Sequence, residues 1–183
     1  MQMVITEGQL FELMARRGRL KAERDGSTEI SFEPELLQAA ETQPEVMDLV
    51  QGQERLFTAR NDTTRQEIEQ LQKRRDQTEQ QIVGIQAQQK SLQLQLELIN
   101  EKLRNQQSLL DRGLAQASSV LNLRRTQASL DGQLGELVAT EAQAETRIIE
   151  IDIEILKLGS GQREEAIGRL RDLRYQELEQ AET

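Results

Sequence analysis

The sequence predicts an all-α chain: a long antiparallel two-helix coiled-coil hairpin with an additional N-terminal helix packed at its open end. Three observations carry this. First, two heptad ladders run along the chain. One reads Ile68, Leu71, Arg75, Thr78, Ile82, Ile85, Gln89, Leu92, Leu96, Ile99, Leu103. The other reads Val120, Leu123, Gln127, Leu130, Leu134, Leu137, Glu141, Ala144, Ile148, Ile151, Ile155, Leu158. Both alternate steps of three and four, the spacing that holds a stripe on one side of a slightly underwound helix. Second, a single turn signal, Leu109-Leu110-Asp111-Arg112-Gly113-Leu114, separates the ladders. Third, the two prolines, Pro34 and Pro44, both come early, so nothing from Glu45 onward has to break at proline.

The elements follow in order. Met1-Gln2-Met3 reads as an expression scar without function. Residues 1–44 hold the base: a first helix over 6–24, a connector and a short helix. Thr6 suits the N-cap, Leu10, Leu13, Met14, Arg17 and Leu20 form a stripe, and Asp25-Gly26 ends the helix because glycine readily turns left-handed there. Ser27 to Glu33 is too polar and short for more than an extended connector. Pro34 sits where its missing N–H costs nothing, at the first position of a helix over 35–41. The ascending helix covers 45–110, on the order of 95 Å at ~1.5 Å per residue. The tip is 111–114 and the descending helix 115–183.

With that turn, facing residues sum to about 223 by the hairpin's geometry, which brings Leu92 near Leu130 and Ile85 near Leu137. Arg75 is expected within reach of Glu145. The seam ends at Leu158 and resumes at Ala166, one residue beyond a strict repeat. Gly159, Ser160 and Gly161 therefore mark a register skip, read either as a hinge or as a tolerated insertion. Asn61 to Thr64, equally free of core residues, should lie opposite. The whole aromatic set is Phe11, Phe32, Phe57 and Tyr175. Under this pairing it gathers at the open end, where a small three-helix core is expected.

Composition narrows the function. Charged residues make up 30% of the 183 and aromatics 2%, so burial must run along a thin aliphatic seam. A net charge of −9 speaks against a nucleic-acid partner, which needs a basic face. Histidine and cysteine are both absent. Ser–His and Cys–His nucleophiles are thereby impossible, and the commonest metal ligands are missing. Acid pairs such as Glu164-Glu165 lie on polar faces, without the desolvated pocket a general acid needs. Gly159-x-Gly161 lacks both the third glycine and the strand of a phosphate loop. Gly132 and Gly135 lie off the seam. No enzyme, cofactor or metal is expected. No run approaches the roughly 20 apolar residues of a membrane span, and no signal peptide is read.

Arg75, Gln89, Gln127 and Glu141 occupy seam positions, where polar residues either fix register or snorkel outward. At the turn, Gly113 supplies the reversal. Leu109, Leu110 and Leu114 either seal the end of the seam or present an apolar knob to a partner.

The segment Leu20-Lys21-Ala22-Glu23-Arg24-Asp25-Gly26 is followed by Ile30-x-Phe32-x-Pro34-Glu35-Leu36-Leu37, Pro44-Glu45-Val46 and Gln53-x-x-Leu56-Phe57-x-Ala59-Arg60. Together with the tip turn and Leu130-x-Gly132-x-Leu134-x-Glu136-Leu137, it resembles the helical region of HlyD-family adaptors, the membrane fusion proteins of type I secretion. The branch is the PrtE and AprE type. The resemblance implies a periplasmic adaptor in a Gram-negative cell, joining an inner-membrane ABC transporter to a TolC-type outer-membrane channel. It also implies self-association into a ring, with hairpin tips meeting the channel. Full-length members carry a membrane anchor, a lipoyl-like domain and a β-barrel domain. None is visible here, so the chain reads as an excised helical domain. Related efflux adaptors use an Arg–Leu–Ser tip signature. Here Leu109 fits the leucine, Arg104 is one residue out of step, and Gln116 stands where serine is expected, with Ser118 two positions on. The alternative class is a cytoplasmic coiled-coil scaffold or the arm of a chromosome-associated ATPase.

Overall fold

The computed structural model describes residues 6–181, with side chains through Leu178. Met1-Gln2-Met3 lies outside them. The described residues form four helices: α1 (Glu7–Asp25), α2 (Pro34–Thr42), α3 (Pro44–Asp111) and α4 (Ala117–Ala181). They contain no strand. The chain divides into two compact units. One joins the residues up to Leu71 with those from Ile153 on, and the other, Gln72–Asp152, holds the turn.

In the first unit, α1 starts where the Thr6 N–H donates to the Gln9 side chain at 3.0 Å, satisfying a donor that the helix leaves free. It stops at Gly26, whose φ of 67° is left-handed, with the Ser27 N–H returning to the Ala22 carbonyl at 3.0 Å. The connector is more than a spacer. Phe32 is buried and packs so close to Gly18 that a Cβ there would stand 2.9 Å from the Phe32 ring. Pro34 opens α2 at its first turn.

The core follows from these placements. Phe11, Met14 and Ala15 of α1 meet Phe32, Leu36 and Ala40, and then Val46 and Val50 of α3. A second cluster joins Leu20 of α1 to Ala166 and Leu173 of α4, flanked by Leu13 and Leu170. The additional helix thus docks at the base on both arms. Phe57 is buried, but Tyr175 is 62% exposed and takes no part in the core. The seam passes through Leu173, and two residues on, a helix has turned about 200° away from it.

The skip is absorbed on one arm only. On α3, Phe57, Asn61, Thr64, Ile68 and Leu71 keep the heptad spacing; Phe57, Thr64, Ile68 and Leu71 are less exposed than the residues beside them, and Asn61 is half-buried. Asn61 and Thr64 therefore hold seam positions, contrary to the expectation that this stretch is free of core residues. Short polar side chains fit a seam wherever they find a partner there. On α4 the seam runs Leu158, Gln162, Ala166, Leu170, Leu173, with consecutive steps of four in place of one three. The helix continues unbroken through Gly159-Ser160-Gly161, where Ser160 Oγ donates to the Leu156 carbonyl at 3.1 Å. Gln162 Nε2 donates to Asn61 Oδ1 at 3.2 Å, a polar rung where the sequence lacks an apolar one.

Beside this rung lies a charged network. Arg60 donates from Nη2 to Glu165 at 2.9 Å, and Arg169 pairs with Glu165 at 2.6 Å. Arg60 Nε stands 3.2 Å from Glu23 without the alignment of a hydrogen bond. The hydrogen bond from Arg60, reinforced by the charges of Arg169 and Arg60, holds the Glu165 carboxyl below its ordinary value, against the opposing effect of desolvation. A depressed carboxyl stabilises the fold above its unfolded value of 4.5 and loses that contribution as pH falls through its lower folded value. Glu165→Gln should therefore melt below the parent near neutrality, and the gap should close as pH falls below 4.5 and through the lower folded value. A gap independent of pH in thermal melts would contradict this.

Candidate docking tip

The turn-bearing unit is a two-helix seam with polar residues at fixed rungs. Glu141 accepts from Gln86 at 2.7 Å and from Gln89 at 2.8 Å. These two bonds, Gln86 first, hold its carboxyl below the ordinary glutamate range. Gln127 Nε2 donates across the seam to Asn100. Gln89 and Glu141 thus bind each other between the arms, and Gln127 binds Asn100.

Arg75 is paired with Asp152 at 3.0 Å and with Glu79 at 3.4 Å, and not with the expected Glu145. Long helical side chains lean toward their own N-terminus. In an antiparallel pair, Arg75 leans toward higher numbers on the facing helix, which brings Asp152 into reach and leaves Glu145 behind. The same lean, with a longer turn, places Gln127 beside Asn100 where the pairing rule placed Leu123.

The turn itself runs from Arg112 to Gln116. It is longer than residues 111–114 because α4 begins at Ala117, with the Ser119 N–H returning to the Gln116 carbonyl at 3.1 Å. α3 closes with paired backbone bonds: Leu114 N–H to Leu109 O at 2.8 Å and Gly113 N–H to Leu110 O at 2.9 Å. This closure needs a left-handed residue, and Gly113 has φ 71°.

The backbone so fixed separates the leucines. Leu109 and Leu110 are half-buried and close the seam, whereas Leu114 is 65% exposed at the turn. Leu109 and Leu110 thus sit as the sealing reading expects, and Leu114 is the exposed leucine of the turn. Asp111, Arg112, Gly113 and Gln116 are exposed around Leu114, as are Arg104 and Ser118. Ser118 Oγ lies 3.5 Å from Gln116 Oε1.

Two features escaped the sequence reading. Gln107 donates to Asp111 at 3.0 Å and accepts from Arg124 at 3.4 Å, a chain that fixes the end of α3 against α4. The signal for its first half was the i, i+4 spacing of Gln107 and Asp111. Leu121, 51% exposed, adds an apolar side chain on the first turns of α4. It stands one place off the heptad, and that offset was its only signal.

No group of three or more His, Cys, Asp or Glu among the described residues could hold a metal. No described helix is long and apolar enough to cross a membrane. The family model "AprE, long alpha-helical hairpin" matches residues 1–183. This chain belongs to that family. The AprE-type hairpin is 34% identical over 173 residues to the "Type I secretion system membrane fusion protein PrsE" of Rhizobium meliloti (strain 1021), a match covering 93% of the chain. It spans 39% of that relative's length. Its fold is that of the soluble domain of LipC, a membrane fusion protein of a type I secretion system. The TM-score is 0.89 at 24% identity, over 96% of this chain and 82% of that one. The AprE-type hairpin is thus the helical hairpin region of a type I secretion membrane fusion protein, which is what the base motifs and turn resembled.

Proposed function

We propose that this hairpin is the non-catalytic periplasmic arm of a type I secretion adaptor. It bridges an inner-membrane ABC transporter to a TolC-like outer-membrane channel, and its tip makes the channel contact. The observation that carries the reading is an exposed leucine, Leu114, on a turn fixed by backbone hydrogen bonds, in a chain of the AprE hairpin family. A rigid apolar knob with polar neighbours is the composition of a docking anchor. Leu114 is the contact residue, Leu109 and Leu110 support it from the seam, and Asp111, Arg112, Gly113 and Gln116 form the polar rim. Gly159, Ser160 and Gly161 are where α4 accommodates its extra residue, and any bending of that arm would be concentrated there. Ring assembly of adaptors would set the hairpins side by side, with the secreted protein passing inside. The cytoplasmic scaffold class has no comparable support.

The test is secretion. Burying one leucine side chain contributes about 1.5–3 kcal/mol, equivalent to roughly ten- to hundredfold in affinity. Leu114→Asp, at an exposed site, should leave helix content unchanged and lower secretion of the cognate cargo by at least about tenfold. Leu109→Asp should lower it further, because it also opens the seam. Normal secretion by both variants would rule the tip out as the channel contact.

A further inference from the structure

The first unit carries two surfaces of opposite charge that it does not use on itself. Between α1 and α4 runs a groove lined by Arg17, Lys21, Arg24, Arg171 and Arg174, floored by Leu173, with Glu177 its only acid among the described residues. In a chain of net charge −9 this is a marked local excess of positive charge. Two of the cations are committed. Arg17 pairs with Glu33 at 2.7 Å and with Glu177 at 2.6 Å, and Arg24 with Asp25 at 2.7 Å. Lys21, Arg171 and Arg174 are exposed and pair with no carboxylate among the described residues.

The complementary surface lies on α2 and the first turns of α3. Glu35, Glu41, Glu45 and Asp48 are all exposed, and none forms an ion pair among the described residues. Helical spacing sets them on the faces opposite the core: Leu36 and Ala40 point inward on α2, Val46 and Val50 on α3. Each surface also carries apolar side chains. Leu37 and Met47 stand beside the acids at 45% and 36% exposure, and Leu170 and Leu173 line the basic groove.

α1 stands between the two surfaces. It packs Met14 against α2 and α3, and Leu20 against α4. One molecule therefore cannot bring its own acids to its own groove, whereas a second copy can. We propose that the basic α1–α4 groove of one copy receives the acidic α2–α3 shoulder of the next, head to tail. Such a contact uses different patches on the two partners, so it repeats around a ring when its rotation closes. Matching charges would steer the encounter and fix which faces meet, and would weaken with salt. This inference rests on the adaptor reading and supplies its lateral contact.

These 183 residues contain no cysteine, so an introduced one can be followed by cross-linking against the parent protein as control. In secreting cells, copies carrying Arg174→Cys and copies carrying Glu45→Cys, expressed together, should form an intermolecular disulfide. Either variant alone should form none. The charge-reversed pair Arg171→Glu with Arg174→Glu should lower secretion and assembly about tenfold, as breaking an interfacial charge match does. Adding Glu41→Arg with Glu45→Arg should restore both. Disulfides from Arg174→Cys alone, or cross-links only to a different protein, would overturn the proposal. So would charge reversal without effect on secretion, or a loss that the second reversal does not restore. Those results leave the adaptor reading standing, which falls only if deleting the gene leaves secretion intact.

Discussion

Leu36→Ala is expected to cost about 2–5 kcal/mol at the base of the hairpin, the usual range for truncating a buried leucine. Leu36 is fully buried, at 0% exposure, where α2 meets Phe11, Met14 and Ala15 of α1 and Val46 and Val50 of α3. The loss should be local in kind. α2 has nine residues, too few to stay helical without packing. When its one large anchor is cut back, α2 and the connector carrying Phe32 should open together, freeing α1 on that side. Hydrogen exchange should show lost protection over residues 30–42, while amides along the Gln72–Asp152 seam keep theirs. Circular dichroism at low temperature should barely change, because most helical residues lie in α3 and α4. As a control, Leu114→Ala at an exposed site should alter stability by no more than about 0.5 kcal/mol. If exchange at residues 30–42 is unmoved by Leu36→Ala, the core assigned here does not hold the base together.

Why the base needed the structure, and the seam did not, is a matter of what each leaves in a sequence. A coiled coil is written in one dimension. Ile82, Ile85, Leu92 and Leu96 announce their face by spacing alone, and Gly113 after a leucine pair announces the reversal. Membership of the adaptor family was legible for a similar reason, since the base motifs are local strings. Side-chain partners are not written that way. Arg75 chose Asp152 over Glu145 through the lean of its stem, which spacing does not record. Asn61 and Thr64 looked like gaps because they are polar, yet both keep the heptad spacing and a facing Gln162 makes a rung with Asn61. At the tip, composition could not divide three leucines between seal and knob. The closure of α3 at Gly113 did, by turning Leu114 outward while Leu109 and Leu110 stayed in the seam. Arg19 and Glu23 were harder still. An Arg and a Glu at i, i+4 usually form a solvated surface pair. Here a third layer covers them, because α1 is packed between both arms.

That buried pair carries the second large expected effect. Arg19 and Glu23 have side chains 3% and 1% exposed, joined at 2.7 Å, and Arg19 Nε also donates to Gln53 of α3 at 2.7 Å. Glu23→Ala would leave the Arg19 guanidinium buried with one neutral acceptor, and would also remove the anion beside Arg60 Nε. Breaking one side of a buried pair costs about 3–5 kcal/mol, since the remaining charge has neither water nor counter-ion. The same rule makes a sharper statement about the pair as a whole. Replacing both partners by apolar residues of similar volume, Arg19→Met with Glu23→Leu, should be close to neutral, because both desolvation costs go with the attraction. Urea unfolding of the parent, Glu23→Ala and the apolar double variant would decide it. The double variant should lie well above Glu23→Ala despite carrying more changes. If both are equally destabilised, the pair is more than a compensated burial, and its bonds to Gln53 and Arg60 are what seat α1 against α3. If Glu23→Ala itself costs less than about 0.5 kcal/mol, Arg19 reaches water by another route and the base is looser than its packing implies.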